Sequence, residues 1–139
     1  MPDYVLLVDD LAPLRDALRV LFEQQGHSVR DFPDAIQALT HVELARREEP
    51  PCQPWVIIID IVMPKVDGIG LVLEFLGKYP DLKVPIIFYS GIAVRLREAR
   101  GAILEKFPDM RTKIRTVLKP DALKTLELLA EFAAQRRTT

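Results

Sequence analysis

Three carboxylates, a hydroxyl and an ammonium occupy equivalent places along this chain. Asp9 and Asp10 follow the apolar run Tyr4-Val5-Leu6-Leu7-Val8, Asp60 follows Val56-Ile57-Ile58-Ile59, Ser90 follows Ile86-Ile87-Phe88-Tyr89, and Lys119 follows the run at 114–118. Each polar residue stands where a stretch of β-preferring residues stops. Carboxylates gathered in one place repel one another, which raises at least one pKa unless a cation is present, and Lys119 neutralises only part of the charge. A hard divalent cation resolves the conflict. Mg²⁺ prefers oxygen ligands and combines one or two protein carboxylates with waters and a phosphate, which suits Asp10, Asp60 and a backbone carbonyl near Val62. With such an ion in place a carboxylate can attack phosphorus to give an aspartyl phosphate, while the metal and Lys119 stabilise charge on the phosphoryl oxygens. Asp60 is the expected nucleophile. It precedes its own turn, Met63-Pro64 to Asp67-Gly68, has the Ser90 hydroxyl to hold a phosphoryl oxygen, and has Gly91 nearby to leave room for a phosphodonor.

These residues converge only if the runs are parallel strands with their ends on one rim. Runs that are apolar at every position fit strands covered on both faces, and ligands of open α/β sheets bind beyond the carboxyl ends of the strands. The intervening segments supply the cover. Leu14, Ala17, Leu18, Leu21 and Phe22 make one helical face, with Arg15 on the opposite one and Gly26 as the stop. Residues 28–32 read as a second strand, followed by a helix through Ile36, Leu39, Val42 and Ala45. Ile69 to Leu76 form a third helix ended by Gly77 and Tyr79-Pro80. Ile92, Leu96, Ala99, Ile103 and Phe107 form a fourth, in which Gly101 marks a weaker or bent middle. Residues 108–113 read as loop, and Asp121 caps a last, core-facing helix carrying Leu123, Leu126, Leu129, Phe132 and Ala133. Residues 136–139 read as frayed. Five strands alternating with five helices give an α/β fold, a doubly wound five-stranded parallel sheet with right-handed crossovers.

Length and composition narrow the function classes. The 139 residues suit a single domain, 1–139 with a core of 3–135. Nineteen basic and twenty acidic residues, net charge −1, offer no basic block for nucleic acid or an anionic membrane. The apolar runs are too short to span a bilayer and the first residues lack the basic start of a signal peptide, so a cytoplasmic location is expected. The single cysteine, Cys52, reads as an incidental thiol in a Pro-rich loop, and His27 and His41 read as solvent-facing. No His or Cys cluster suggests a softer metal. Singly, Asp9-Asp10 also suits a helix cap, Asp60 a strand terminator, Ser90 a turn and Lys119 a solvated charge. Their coincidence at one rim carries the reading.

Taken together, Val8-Asp9-Asp10, Ile59-Asp60 with Met63-Pro64 and Asp67-Gly68, Ser90-Gly91 and Leu118-Lys119-Pro120 resemble the receiver domain of two-component response regulators over nearly the whole chain. The resemblance implies a flavodoxin-like (β/α)5 sheet of strand order 2-1-3-4-5. It also implies Mg²⁺ held by Asp9, Asp10 and Asp60, and a cis peptide bond before Pro120. The phosphoryl group would pass to Asp60 from a phosphohistidine on a sensor histidine kinase or phosphotransfer protein. A surface around the fourth helix and fifth strand would then change and meet a downstream protein partner. Such a domain is a signalling module rather than an enzyme, because it turns over no separate substrate.

The chain also departs from that pattern. Thr116 stands where the family usually carries an aromatic switch residue, Asp121 replaces a customary Phe, and the stretch from Ser90 to Lys119 is several residues longer than usual. Val62 and Ile92 are apolar where polar side chains in the family orient attacking water, so a long-lived phosphorylated form is expected. An alternative from another class is a receiver-like interaction domain that works without phosphate, which Thr116 favours. An aspartate-nucleophile phosphohydrolase would need a second acid for water activation, and none is identifiable. A homodimer through the last helix is a further expectation.

Overall fold

The computed structural model describes residues 3–137. Five strands, β1 (Tyr4–Val8), β2 (Val29–Phe32), β3 (Pro54–Asp60), β4 (Ile86–Ser90) and β5 (Ile114–Leu118), alternate with α1 (Ala12–Gln24), α2 (Ala35–Ala45), α3 (Gly68–Lys78), α4 (Ala93–Lys106) and α5 (Ala122–Arg137). All pairings are parallel, as the apolar runs lead one to expect, and the order is β2-β1-β3-β4-β5, the one that the resemblance implies.

Successive strand residues point to opposite faces, and each face has its own core. Leu6, Val8, Ile57, Ile59, Ile86, Phe88 and Ile114 pack under α2, α3 and α4. Val5, Leu7, Val56, Ile58, Ile87, Tyr89 and Val117 pack under α1 and α5. That is why β1, β3 and β4 are apolar along nearly their whole length and the polar residue that follows each run emerges at the rim, whereas the edge strands β2 (Val-Arg-Asp-Phe) and β5 (Ile-Arg-Thr-Val-Leu), covered less fully, carry polar residues within them. In register, Val8 lies beside Ile59, Asp60 beside Tyr89 and Ser90 beside Leu118.

The helices follow their periodicity with local corrections. Gly26 takes a φ of +88 after α1, a left-handed conformation that glycine adopts without steric cost. Asp34 caps α2 by accepting the Gln37 N–H at 2.8 Å, Asp67 caps α3 by accepting that of Gly70 at 2.8 Å, and Asp121 accepts the Lys124 N–H at 2.9 Å. Gly77 lies inside α3, and α4 runs unbroken through Gly101. Ile36 and Leu123 are exposed: the inward face of α2 is Ala35, Ala38, Val42 and Ala45, and that of α5 includes Thr125, Leu128 and Phe132. The supposed loop after α4 contains a 3₁₀ turn, Pro108–Met110. Arg136 and Arg137 belong to α5 rather than to a frayed end, while residues 138 and 139 lie outside the described part. Cys52 is buried under α2, its thiol 3.4 Å from a Glu48 carboxylate oxygen.

His41 is not solvent-facing. It packs edge-on to Tyr4 and 4.9 Å, centroid to centroid, from Phe32, and its Nε2 lies 2.9 Å from Arg30 Nη1. His27 is likewise half-buried, against Trp55 at 5.6 Å. None of the described helices is long and apolar enough to cross a membrane.

Candidate functional site

The C-terminal ends of β1, β3, β4 and β5 bring the polar residues to one rim. Asp9, just beyond β1, is 1% exposed. Its Oδ1 accepts the Leu11 N–H at 2.9 Å, fixing the turn into α1. Arg15 donates from Nη1 to the Asp9 carbonyl at 2.7 Å and from Nε to Asp31 Oδ2 at 3.0 Å, so it ties the ends of β1 and β2 together. Asp10 is exposed beside it.

Asp60, the last residue of β3, is 7% exposed, and its Oδ1 accepts the Val62 N–H at 3.3 Å. The following turn folds back so that Gly68 N–H donates to the Ile61 carbonyl at 2.9 Å. A Cβ on Gly68 would collide with the Asp60 carbonyl oxygen, so only glycine fits this approach without a shift. Ser90 is buried, with Oγ accepting the Ile92 N–H at 3.1 Å, and its carbonyl accepts the Lys119 N–H at 2.9 Å. The Lys119–Pro120 bond is cis. Lys119 Nζ reaches 3.1 Å from Asp60 Oδ2 and 3.3 Å from Asp9 Oδ2, passing 5.1 Å from the Tyr89 ring centre.

The electrostatics follow from burial. Removing Asp60 from water disfavours its charged form and raises its pKa; the neighbouring Asp9 charge adds to this, while Lys119 and the Val62 N–H oppose it. Desolvation is therefore a larger cause than the carboxylate crowding that the sequence argument invokes. Burial works against the Lys119 ammonium too, but its contacts with Asp60 and Asp9 outweigh it and the net shift is upward.

Asp9, Asp10 and Asp60 each present a carboxylate oxygen within 4.8 Å of the others. Asp9 Oδ2 is buried with the Lys119 charge nearby but accepts no aligned hydrogen bond. A buried anionic oxygen left short of donors, within an all-oxygen set, fits a hard divalent cation such as Mg²⁺. A separate pocket of about 370 Å³ lies away from this site, at the opposite end of the strands, beside Trp55, Lys83 and Lys113.

Asp9, Asp10, Asp60, Ser90 and Lys119 thus come together from four strand ends, with Val62 in the turn after β3. Val62 and Ile92 are each 50% exposed. Sequence reasoning missed three contributors. Arg15 reads as a surface helix residue because its partners, Asp31 and a backbone carbonyl, lie on other elements. Gly68 reads as a turn residue, without its approach to Asp60. Tyr89 reads as core, although its ring lies beneath Lys119.

The sequence profile of the Response regulator receiver domain matches residues 5–107. The chain is similar to Response regulator MprA of Mycobacterium sp. (strain KMS), 28% identical over 140 residues covering 100% of this chain and 53% of that protein. It is also similar to an uncharacterized 14.6 kDa protein from the sodA1 3' region of Leptolyngbya boryana, 30% identical over 132 residues, 92% of this chain and 88% of the other. The chain spans about half the length of the MprA relatives it matches. Among solved structures, a CheY-like response regulator receiver domain protein from Methanospirillum hungatei JF-1 superposes with a TM-score of 0.76 at 20% identity, over 100% of this chain and 99% of that one. Chemotaxis protein CheY4 of Vibrio cholerae gives 0.73 at 22% identity, over 95% and 98%. At these identities the two structures speak to the fold alone.

Proposed function

The chain belongs to the response regulator receiver domain family of two-component systems, and from that membership we propose that Asp60 is its phosphoacceptor. The phosphoryl group comes from a phosphohistidine on a sensor histidine kinase or phosphotransfer protein in the cytoplasm. The observation that carries this reading is Lys119 Nζ bridging Asp60 Oδ2 and Asp9 Oδ2 at 3.1 and 3.3 Å on the rim of the sheet.

In the reaction an Asp60 carboxylate oxygen bonds to phosphorus as the bond from phosphorus to the donor's imidazole nitrogen breaks, and the imidazole leaves after taking up a proton from solvent. Lys119, already against Asp60, pairs with a phosphoryl oxygen. Ser90 Oγ keeps the Ile92 N–H as its donor and has its own hydrogen free for a second phosphoryl oxygen. Asp9, Asp10, Asp60 and the Val62 main-chain carbonyl would hold Mg²⁺, whose chemistry is to neutralise charge shared by the carboxylate and the phosphoryl oxygens. Arg15 holds the Asp9 backbone still. Residues 1–139 act as one receiver domain that turns over no separate substrate. Loss of the Lys119 contact with Asp60 and Asp9 shifts the population of the α4-β5-α5 surface, which meets a downstream protein.

One observation favours a second reading, in which partner binding is independent of phosphate. Thr116, half-buried on β5 beside Phe88 of β4, provides no aromatic ring to swing between states. Acetyl phosphate with Mg²⁺ separates the two. Intact mass spectrometry should find one added phosphoryl group on the wild type and none on Asp60→Asn or in chelator. An unmodified wild type would favour the second reading.

A further inference from the structure

The pocket of about 370 Å³ opens where β3, β4 and β5 begin and α5 ends, the length of the strands away from Asp60. That volume suits a small molecule. Its wall is apolar and aromatic: Trp55 of β3 and Leu82 are only half-buried, and the buried Val84 and Phe132 of α5 complete the surface. Pro54 and Pro85 stand at the starts of β3 and β4 in the same lining, and proline offers no main-chain N–H, so side chains must supply the charge that meets a polar ligand.

Those side chains are unevenly balanced. Lys83, Lys113 and Arg136 line the pocket against one carboxylate, Asp3, among the described residues. Asp3 is matched by Arg136 at 3.0 Å, and Lys83 pairs with Asp109, which lies outside the lining. Lys113 is left over. Its Nζ donates to the Lys83 carbonyl at 2.9 Å and makes no ion pair among the described residues, so the ammonium has donors to spare. The carbonyl it holds belongs to a strained residue, since Lys83 has a φ of +41. Side chains disfavour that left-handed region, and strain of this kind collects where a fold clamps a ligand.

An ammonium with spare donors beside an open aromatic wall calls for a ligand with one anionic group and a flat apolar body. Acetate would use Lys113 but leave Trp55 and Leu82 in water, and a neutral aromatic would leave the ammonium unused. We propose that this pocket binds a small aromatic carboxylate, with its anionic group on Lys113 and its ring against Trp55 and Leu82. The site stands apart from Asp60 and does not depend on the receiver chemistry.

The test uses the full ¹⁵N-labelled chain and NMR, because Trp55 is the only tryptophan and its indole N–H gives a single signal at the pocket. The probes are 2-naphthoate, its uncharged amide 2-naphthamide, and the aliphatic anion hexanoate. Naphthoate should shift the indole signal to saturation, less tightly as salt is raised. The amide lacks the charge and hexanoate lacks the ring, so each should bind at least about fivefold more weakly. Lys113→Gln should weaken naphthoate by about fivefold or more, as loss of a hydrogen bond between charged groups requires. Lys124→Gln, which removes the same charge at the far end of α5, should bind as the wild type does. Dispersion of the amide signals shows that Lys113→Gln is folded, and the comparison of the three probes on the wild type needs no variant. No saturable shift with naphthoate, equal affinity for the amide or for hexanoate, or unchanged affinity in the folded Lys113→Gln variant would each overturn the proposal.

Discussion

Lys119 Nζ lies 3.1 Å from Asp60 Oδ2 across the width of β4, whose terminal Ser90 accepts the Lys119 N–H through its carbonyl. Among the described residues the ammonium is the one side-chain cation paired with the two buried carboxylates, and this decides how the site responds when it is removed.

Lys119→Met should leave Asp9 and Asp60 facing each other without compensation. Removing one partner from a buried charge group is costly, and with Lys119 still partly in water the expected loss is about 2 kcal/mol at neutral pH in chelator. Mg²⁺ binding to the folded state should recover part of it, because a ligand that binds only the folded state stabilises it. Urea titrations with and without Mg²⁺ measure both effects, and acetyl phosphate uptake should fall at least about tenfold alongside. A variant as stable as the wild type in chelator would show that the contact does not offset the burial of the two carboxylates.

Val62 and Ile92 follow Asp60, the proposed phosphoacceptor, and Ser90 by two residues each, are half-exposed, and carry no group that can orient water. Hydrolysis of the aspartyl phosphate should therefore be slow. Val62→Asn, which introduces a polar side chain at an exposed position, should shorten the lifetime several-fold to about tenfold, less than a full general base contributes. A radiolabel chase in Mg²⁺ reads it directly. Loss of label from the wild type within seconds would refute the idea.

The architecture is legible because strands covered on both faces demand unbroken apolar runs, which β1, β3 and β4 have; the edge strands β2 and β5, with Arg30-Asp31 and Arg115-Thr116 inside them, show a weaker pattern. Asp9, Asp60 and Ser90 are legible for the same reason, since the first polar side chain after such a run must lie at the rim, and Lys119 is legible from its place after Val117-Leu118. Helix phase was less legible. Ile36 and Leu123 have the spacing of core residues, but the small face of α2 and the Leu128 face of α5 are the ones that meet the sheet. Contacts between distant elements left no local pattern. Arg15 reaches Asp31, and His41 packs on Tyr4 and Phe32, through pairings that only the fold creates.

Gly68 is where the backbone geometry of the site is most exposed to mutation. It starts α3 where an added Cβ would collide with the Asp60 carbonyl oxygen, so Gly68→Ala forces either that carbonyl or the helix start to move. Overpacking of this kind costs about 1–3 kcal/mol, here against backbone that cannot rotate away. Because the displaced atom belongs to Asp60 itself, phosphoryl uptake should fall more than the lost stability explains when both are measured where the variant is still folded. Gly77→Ala is the control: nothing stands within reach of an added Cβ there, and in the last turn of α3 the change should stabilise by about 0.4–1 kcal/mol through the loss of backbone freedom in the unfolded chain. Equal behaviour of the two variants would contradict the close approach at Gly68.

Acid should weaken the fold through His41 before the carboxylates titrate. Burial lowers its pKa, the Arg30 charge lowers it further, and Glu48 only partly opposes them. The ring is held neutral, with Nε2 2.9 Å from Arg30 Nη1, where a second positive charge would face the guanidinium. His27 is lowered in the same direction, by burial and then by Arg137. For both, the unfolded chain takes up a proton near pH 6.5 while the folded chain does so only at lower pH, so the unfolded state binds more protons in that window. Stability is therefore unaffected well above about pH 6.5 and falls as pH drops through it. Urea midpoints from about pH 7.5 to 5.5 should decline for the wild type, decline less for His41→Gln, and be nearly flat for His41→Gln combined with His27→Gln. A decline of equal size in the double variant would place the titrating groups elsewhere, and no decline in the wild type would mean that His41 accepts its proton in the fold as readily as in the open chain.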